Sequence, residues 1–142
     1  MLKNVPPILS PELIKILMEM GHGDEIVIAD SNFPCYTTNS RVIRMDGNGG
    51  NAVLEAIISL LPLDDYAEDN VFLMNVLEGD NVKTPIWDEY KKTLNLYEGE
   101  AVRIKFLERF AFYERAKAAY AVVATSEEAL YANIILKKGV IR

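Results

Sequence analysis

A chain of 142 residues is long enough for one domain that buries about two-thirds of its unfolded surface, so folding needs neither a disulfide nor a metal. Half of the residues are apolar and a quarter are charged, which excludes the polar, highly charged balance of a disordered chain. Fifteen Lys and Arg against twenty-one Asp and Glu leave a formal net charge of −6, which repels nucleic acid and anionic lipid and suits a neutral partner.

Cys35 is the only cysteine and His22 the only histidine, so no disulfide can form within the chain and no Cys/His zinc site can be assembled. Carboxylate-bound magnesium stays open on these grounds. No stretch approaches the ~18 to 20 apolar residues that span a bilayer, and Met1 to Pro7 lack an apolar run ending in a cleavage site. A cytoplasmic protein without membrane or nucleic-acid partners is therefore expected.

In chain order, Ser10 is a good N-cap before Pro11 at the first helical position, and Leu13, Ile16, Leu17 and Met20 recur at helical spacing until Gly21. Residues 25–30 form a short run of mainly β-branched residues, which predicts a strand buried on both faces and ended by Pro34. Residues 41–45 read as a second extended piece. The turn at residues 46–50 then leads into an amphipathic helix marked by Val53, Leu54, Ile57, Ile58 and Leu61 and closed by Pro62.

Residues 71–76 predict another buried strand. Thr84 and Pro85 open a helix with acids in its first turn, and residues 102–106 are expected to be extended. Helical spacing returns over 108–118, where Glu114 and Lys117 can pair across one turn. Residues 120–125 read as a strand, 125–128 as a capping box for one helical turn, and 133–136 as a last strand. Alternating strands and helices without repeat or linker predict one domain over 1–142. Its expected fold class is α/β, a three-layer α/β/α sandwich with a mostly covered mixed sheet.

The glycines at 47, 49 and 50 precede a helix, yet their spacing fits neither the P-loop nor the dinucleotide fingerprint, and a strand-to-helix turn is the better reading. Cys35 reads as a buried inert thiol. His22 lies in Gly21-His22-Gly23-Asp24 after a helix end, where glycines leave the imidazole accessible and the helix dipole favours its protonated form. On position alone it is more often a surface or capping residue than a catalyst. Asp30 ends a buried strand, where open α/β sheets present ligand-binding groups, and reads equally as a turn cap.

Tyr131 and Asn133, two apart, share a face if the chain there is extended, and together can hydrogen-bond a polyol. Arg109, between strand and helix, suits holding a hydroxyl or ring oxygen and reads otherwise as a solvated helix start. Phe106, Phe110, Phe112 and Tyr113 can stack on a sugar's apolar face, although such a stripe is more often core.

Several segments carry a family resemblance over essentially the whole chain. They are residues 9–13 (LSPEL), 20–26 (MGHGDEI), 29–34 (ADSNFP), 108–116 (ERFAFYERA), 121–125 (AVVAT) and 131–139 (YANIILKKG). In these the chain resembles the L-fucose mutarotase branch of the ribose pyranase and fucose mutarotase family, with residues 110–115 favouring the fucose branch over the ribose branch. The resemblance implies His22 as proton donor and Asp30, Arg109, Tyr131, Ala132 and Asn133 as sugar-binding residues. Ala132 departs from the glycine often found there, a methyl that narrows the pocket if the backbone at this position meets sugar.

The resemblance further implies catalysis without metal or cofactor, and a homo-oligomer, typically a decameric ring with sites between subunits. The sequence gives shared sites some independent support, because one strand of ~3.3 Å per residue separates His22 from Asp30 by roughly 20 Å or more, so that either the Gly21-His22-Gly23 turn folds back sharply or, the favoured reading, the two serve one pocket from different chains. The activity implied is interconversion of α and β anomers of a free monosaccharide. The alternatives are a non-catalytic sugar-binding or regulatory subunit and an enzyme acting mainly on ribose.

Overall fold

The computed structural model describes residues 1–142. Helix α1 spans Pro11–Glu19, with the Ser10 hydroxyl accepting the Leu13 N–H at 3.2 Å and with Leu13, Ile16 and Leu17 turned inward. Strand β1 follows at Glu25–Ala29. A short helix α2 at Cys35–Thr38 comes next, which the sequence does not announce because Pro34 masks four residues without periodicity. Then come β2 at Val42–Met45, α3 at Gly50–Ile58 and β3 at Val71–Met74. Helix α4 spans Pro85–Glu98, β4 Ile104–Leu107, α5 Arg109–Ala118, β5 Ala121–Thr125 and β6 Ile134–Lys137.

The six strands form one mixed sheet in the order β2-β5-β1-β6-β3-β4. Strands β2, β5 and β1 run parallel, as do β3 and β4, while β6 runs antiparallel to both β1 and β3. Alternation along β1 sends Ile26 and Ile28 to one face and Val27 and Ala29 to the other, and all four are buried. Helices α1, α3 and α4 cover the first face with a core that includes Leu13, Leu54, Ile57, Tyr90 and Leu94. Helices α2 and α5 cover the second through Cys35, Phe112 and Ala116. The three-layer sandwich is therefore the one expected, and each Leu or Ile wholly removed from water in it contributes roughly 1.5–3 kcal/mol.

Two local expectations fail for a stated reason. Residues 125–128 form no helical turn; the Glu127 carboxylate instead accepts the Gly50 N–H at 2.9 Å and caps α3 from across the fold. Glu114 and Lys117 make no ion pair, whereas Arg115 forks Glu25 at 2.8 and 2.6 Å while lying over the Phe72 ring. Long-range partners outweigh local pairs in both cases. No helix is long and apolar enough to cross a membrane.

Candidate active site

The sheet's topology sorts the polar groups to two ends. At the end where β1 finishes and β6 begins, Asp30 is buried and its N–H donates to the Asn133 Oδ1 at 2.7 Å, tying the two strand ends together. Asp30 Oδ1 accepts the Asn32 N–H at 3.0 Å. Burial pushes the Asp30 carboxyl above the usual carboxylate value, and the hydrogen bonds around it offset that only in part. Beside it opens a cavity of about 280 Å³ lined by Asp30, Ser31, Tyr36, Arg44, Thr125 and Ser126 among others.

The neighbouring segment is held rigidly. Trp87 Nε1–H donates to the Tyr131 carbonyl and the Tyr90 hydroxyl to the Ala132 carbonyl, both at 2.8 Å, so two side chains of α4 grip consecutive peptide units. Tyr131 is consequently not extended as its spacing from Asn133 suggests; its φ is +57°, a left-handed conformation uncommon for a tyrosine. The Tyr131 hydroxyl donates to Asp80 Oδ2 at 2.6 Å and accepts the Leu77 N–H at 3.3 Å. The bond to Asp80 is the main reason its phenol binds its proton more firmly than a free tyrosine.

Arg109 starts α5, directly after β4 and the N-cap Glu108, whose carboxylate accepts the Phe110 and Ala111 N–H groups. Its guanidinium lies 5.4 and 5.7 Å from the centres of the Phe110 and Tyr113 rings and forms no ion pair within the chain, leaving its donors for a ligand. The aromatic stripe divides accordingly: Phe112 is core, while Phe110 is 66% exposed. Asp30, Asn133, Tyr131 and Arg109 thus follow or precede strands of one sheet end. Donors and acceptors of this kind can hold several hydroxyls of one small molecule.

His22 lies at the opposite end of β1. Its turn is closed by the Gly21 N–H on Asp24 Oδ2 at 2.7 Å, with Gly23 at φ +87°. The imidazole Nε2 lies 2.9 Å from Asp64 Oδ1, and the two side chains are 43% and 3% exposed. Burial pushes the Asp64 carboxyl up, but bonds from the Tyr66 N–H and from His22 outweigh it and hold it below the usual range. An ionised Asp64 fixes the proton on Nε2 and leaves Nδ1 as the nitrogen open to a ligand. The Tyr66 ring stands 5.1 Å from the imidazole, and Arg142 lies over Tyr66 and forks Asp65.

Asp64 is the residue that sequence reasoning misses. It sits 42 positions from His22, in the loop after α3 and beyond Pro62, and no local pattern distinguishes it from a turn acid. Asp80 is missed for the same reason.

An imidazole–carboxylate pair and a separate cluster of hydrogen-bonding groups thus stand at the two ends of one α/β sandwich, groups of the kind that can move a proton and hold a small polyol. The chain belongs to the RbsD / FucU transport protein family, whose pattern matches residues 3–141. It is 46% identical over 140 residues to the L-fucose mutarotase of Actinobacillus pleuropneumoniae serotype 5b (strain L20), covering 99% of this chain and 97% of that one. Its fold superposes with a TM-score of 0.94 on the crystal structure of the fucose mutarotase in complex with L-fucose from Streptococcus pneumoniae, at 48% identity and 99% and 100% coverage. The structure of Bacillus subtilis RbsD complexed with D-ribose is more distant, at a TM-score of 0.72 and 28% identity, covering 94% and 95%.

Proposed function

We propose that this chain is an L-fucose mutarotase, an isomerase that interconverts the α and β anomers of the free sugar by general acid/base ring opening. The carrying observation is the likeness, along nearly the entire chain and at close to half identity, to proteins named for that activity. The weaker likeness to the ribose-bound relative makes ribose a secondary substrate.

The chemistry follows from the side chains. His22, protonated on both nitrogens, keeps Nε2–H on Asp64 and gives the Nδ1 proton to the ring oxygen as the bond from that oxygen to the anomeric carbon breaks. The anomeric hydroxyl loses its proton to a base and becomes the aldehyde. Rotation about the adjacent C–C bond and reclosure on the other face return both protons. Asp30 suits the base better than Tyr131, because burial raises its proton affinity while Tyr131 already directs its own proton to Asp80. Arg109, Tyr131 and Asn133 grip hydroxyls, and Ala132, whose carbonyl accepts the Tyr90 hydroxyl, fixes the segment between the last two. The reaction is redox-neutral and needs no covalent intermediate.

His22 and Asp30 flank a strand that separates them by roughly 20 Å, beyond the reach of one hexose. A homo-oligomeric ring, a decamer in which His22 of one subunit faces the hydroxyl cluster of another, reconciles both with a single pocket. Residues 1–142 then act as one cytoplasmic mutarotase domain within it.

Magnetisation-transfer NMR on the α and β H1 signals of L-fucose tests this reading, since catalysis adds exchange that the spontaneous reaction does not show. The family's description as transport proteins favours one other reading, a sugar-binding subunit without catalysis. Line broadening of fucose without exchange selects it.

A further inference from the structure

Residues 137–139 leave the central strand β6 and run between the two loops that carry His22 and Asp64. Their backbone groups alternate sides, as a strand requires. Toward the His22 turn, Lys138 O accepts the Gly23 N–H and Lys138 N–H donates to Asp24 O, both at 2.8 Å. Toward the Asp64 loop, Lys137 O accepts the Asp64 N–H at 2.9 Å and Gly139 N–H donates to Pro62 O at 2.8 Å. The two loops are thus neighbouring strands of one three-residue splint, and adjacent backbones on either side of a strand stand about 10 Å apart. The His22 and Asp64 side chains close that gap to a 2.9 Å contact.

Gly139 sets the spacing on the Asp64 side. A Cβ built there would strike the Leu63 carbonyl oxygen and stand 2.7 Å from the Leu63 carbonyl carbon and 2.8 Å from Asp64 Cα, all backbone atoms of the loop that presents the carboxylate. Its φ is not in the left-handed region, so the requirement is for space alone. Restoring ordinary carbon contacts of about 3.5 Å or more moves that loop outward by close to 1 Å. A 2.9 Å hydrogen bond stretched by that amount passes beyond useful geometry.

We propose that Gly139 is a positioning residue for catalysis: through the Lys137–Gly139 splint it holds Asp64 at hydrogen-bonding distance from His22. Its functional meaning rests on the mutarotase reading, while the geometry can be tested without it. Because His22 is the only histidine, its imidazole NMR signals need no assignment.

In Gly139→Ala, kcat for L-fucose exchange should fall about 100-fold, the scale of a 1 Å misplacement at a reacting group, with KM changed by less than about threefold. The Nε2–H signal should be lost, as in Asp64→Ala, and adding Gly139→Ala to Asp64→Ala should cost no further activity. Folded Gly139→Ala with kcat within about threefold of the parent, or with an intact Nε2–H signal, overturns the proposal. An unsubstituted protein that shows no exchange defeats the mutarotase reading instead, and the imidazole signal still reports on the splint. Should the variant not fold, native-state hydrogen exchange on the unsubstituted protein answers: the Gly23, Lys138, Asp64 and Gly139 amides should open as one unit. Independent opening of the Gly23 and Asp64 amides contradicts the splint.

Discussion

Asp30 and Asp64 are both buried carboxyls of one small molecule, and their surroundings push them in opposite directions. Asp64 is compensated by N–H donors and the imidazole, so it stabilises the fold whenever ionised. Asp30 is not fully compensated. Its proton is bound more tightly in the folded chain than in the unfolded one, so stability is lost as pH rises from the ordinary value of 3.8 through the raised folded value, and stays lost at neutrality. Asp30→Asn keeps an oxygen for the Asn32 N–H and removes the charge. This variant should melt at a higher temperature than the parent at pH 7, with the gap closing toward pH 3, while L-fucose affinity falls at least tenfold. Calorimetric melts and a binding titration at the two pH values check both halves, and an equal or lower melting temperature at pH 7 contradicts the argument. A buried carboxyl beside a cavity, not fully compensated by its hydrogen bonds, is the kind of cost that a binding site carries.

At the scale of elements, α4 is the support of the segment 131–133, because Trp87 and Tyr90 fix the Tyr131 and Ala132 carbonyls. The Tyr90 hydroxyl also occupies the space where a side chain on Gly50 would lie, so the start of α3 is shaped around it. Removing that hydroxyl in Tyr90→Phe leaves a buried carbonyl without its donor and should cost about 1–3 kcal/mol. Chemical denaturation measures this, and a loss below about 0.5 kcal/mol would show that water replaces the phenol. The sequence foretells every long element here, since hydrophobic period and caps are local signals: Ser10 caps α1 and the apolar run 25–29 is β1. It misjudges residues 125–133, where Glu127 caps a distant helix and Tyr131 turns left-handed. Those conformations are imposed by partners 40 to 80 positions away, which no window of sequence contains. For the same reason His22, Asp30 and Asn133 were legible as candidates, whereas Asp64, defined only by what it touches, was not.

For the whole molecule, the separation of His22 from Asp30, Arg109 and Asn133 at the other end of the sheet is the fact with the widest consequence. If one pocket draws on two subunits, oligomers mixed from His22→Ala and Asp30→Asn chains contain sites with both native residues, although neither parent variant does. Mixed oligomers formed by co-expression should therefore recover roughly a quarter of the parental exchange rate. Recovery no greater than the mean of the two variants would place both residues in a pocket of one chain. If the pocket is shared in this way, the splint at Lys137–Gly139 gains a further role, because an acid delivered across a subunit boundary must be held by its own chain before any partner arrives. The most direct measurement of all is L-fucose anomeric exchange by magnetisation transfer for the unsubstituted protein and for His22→Ala. Proton transfer of this type contributes about 100- to 10,000-fold, so exchange above the spontaneous rate should fall by at least 100-fold on losing the imidazole. A His22→Ala protein that exchanges the anomers as fast as its parent would contradict the account.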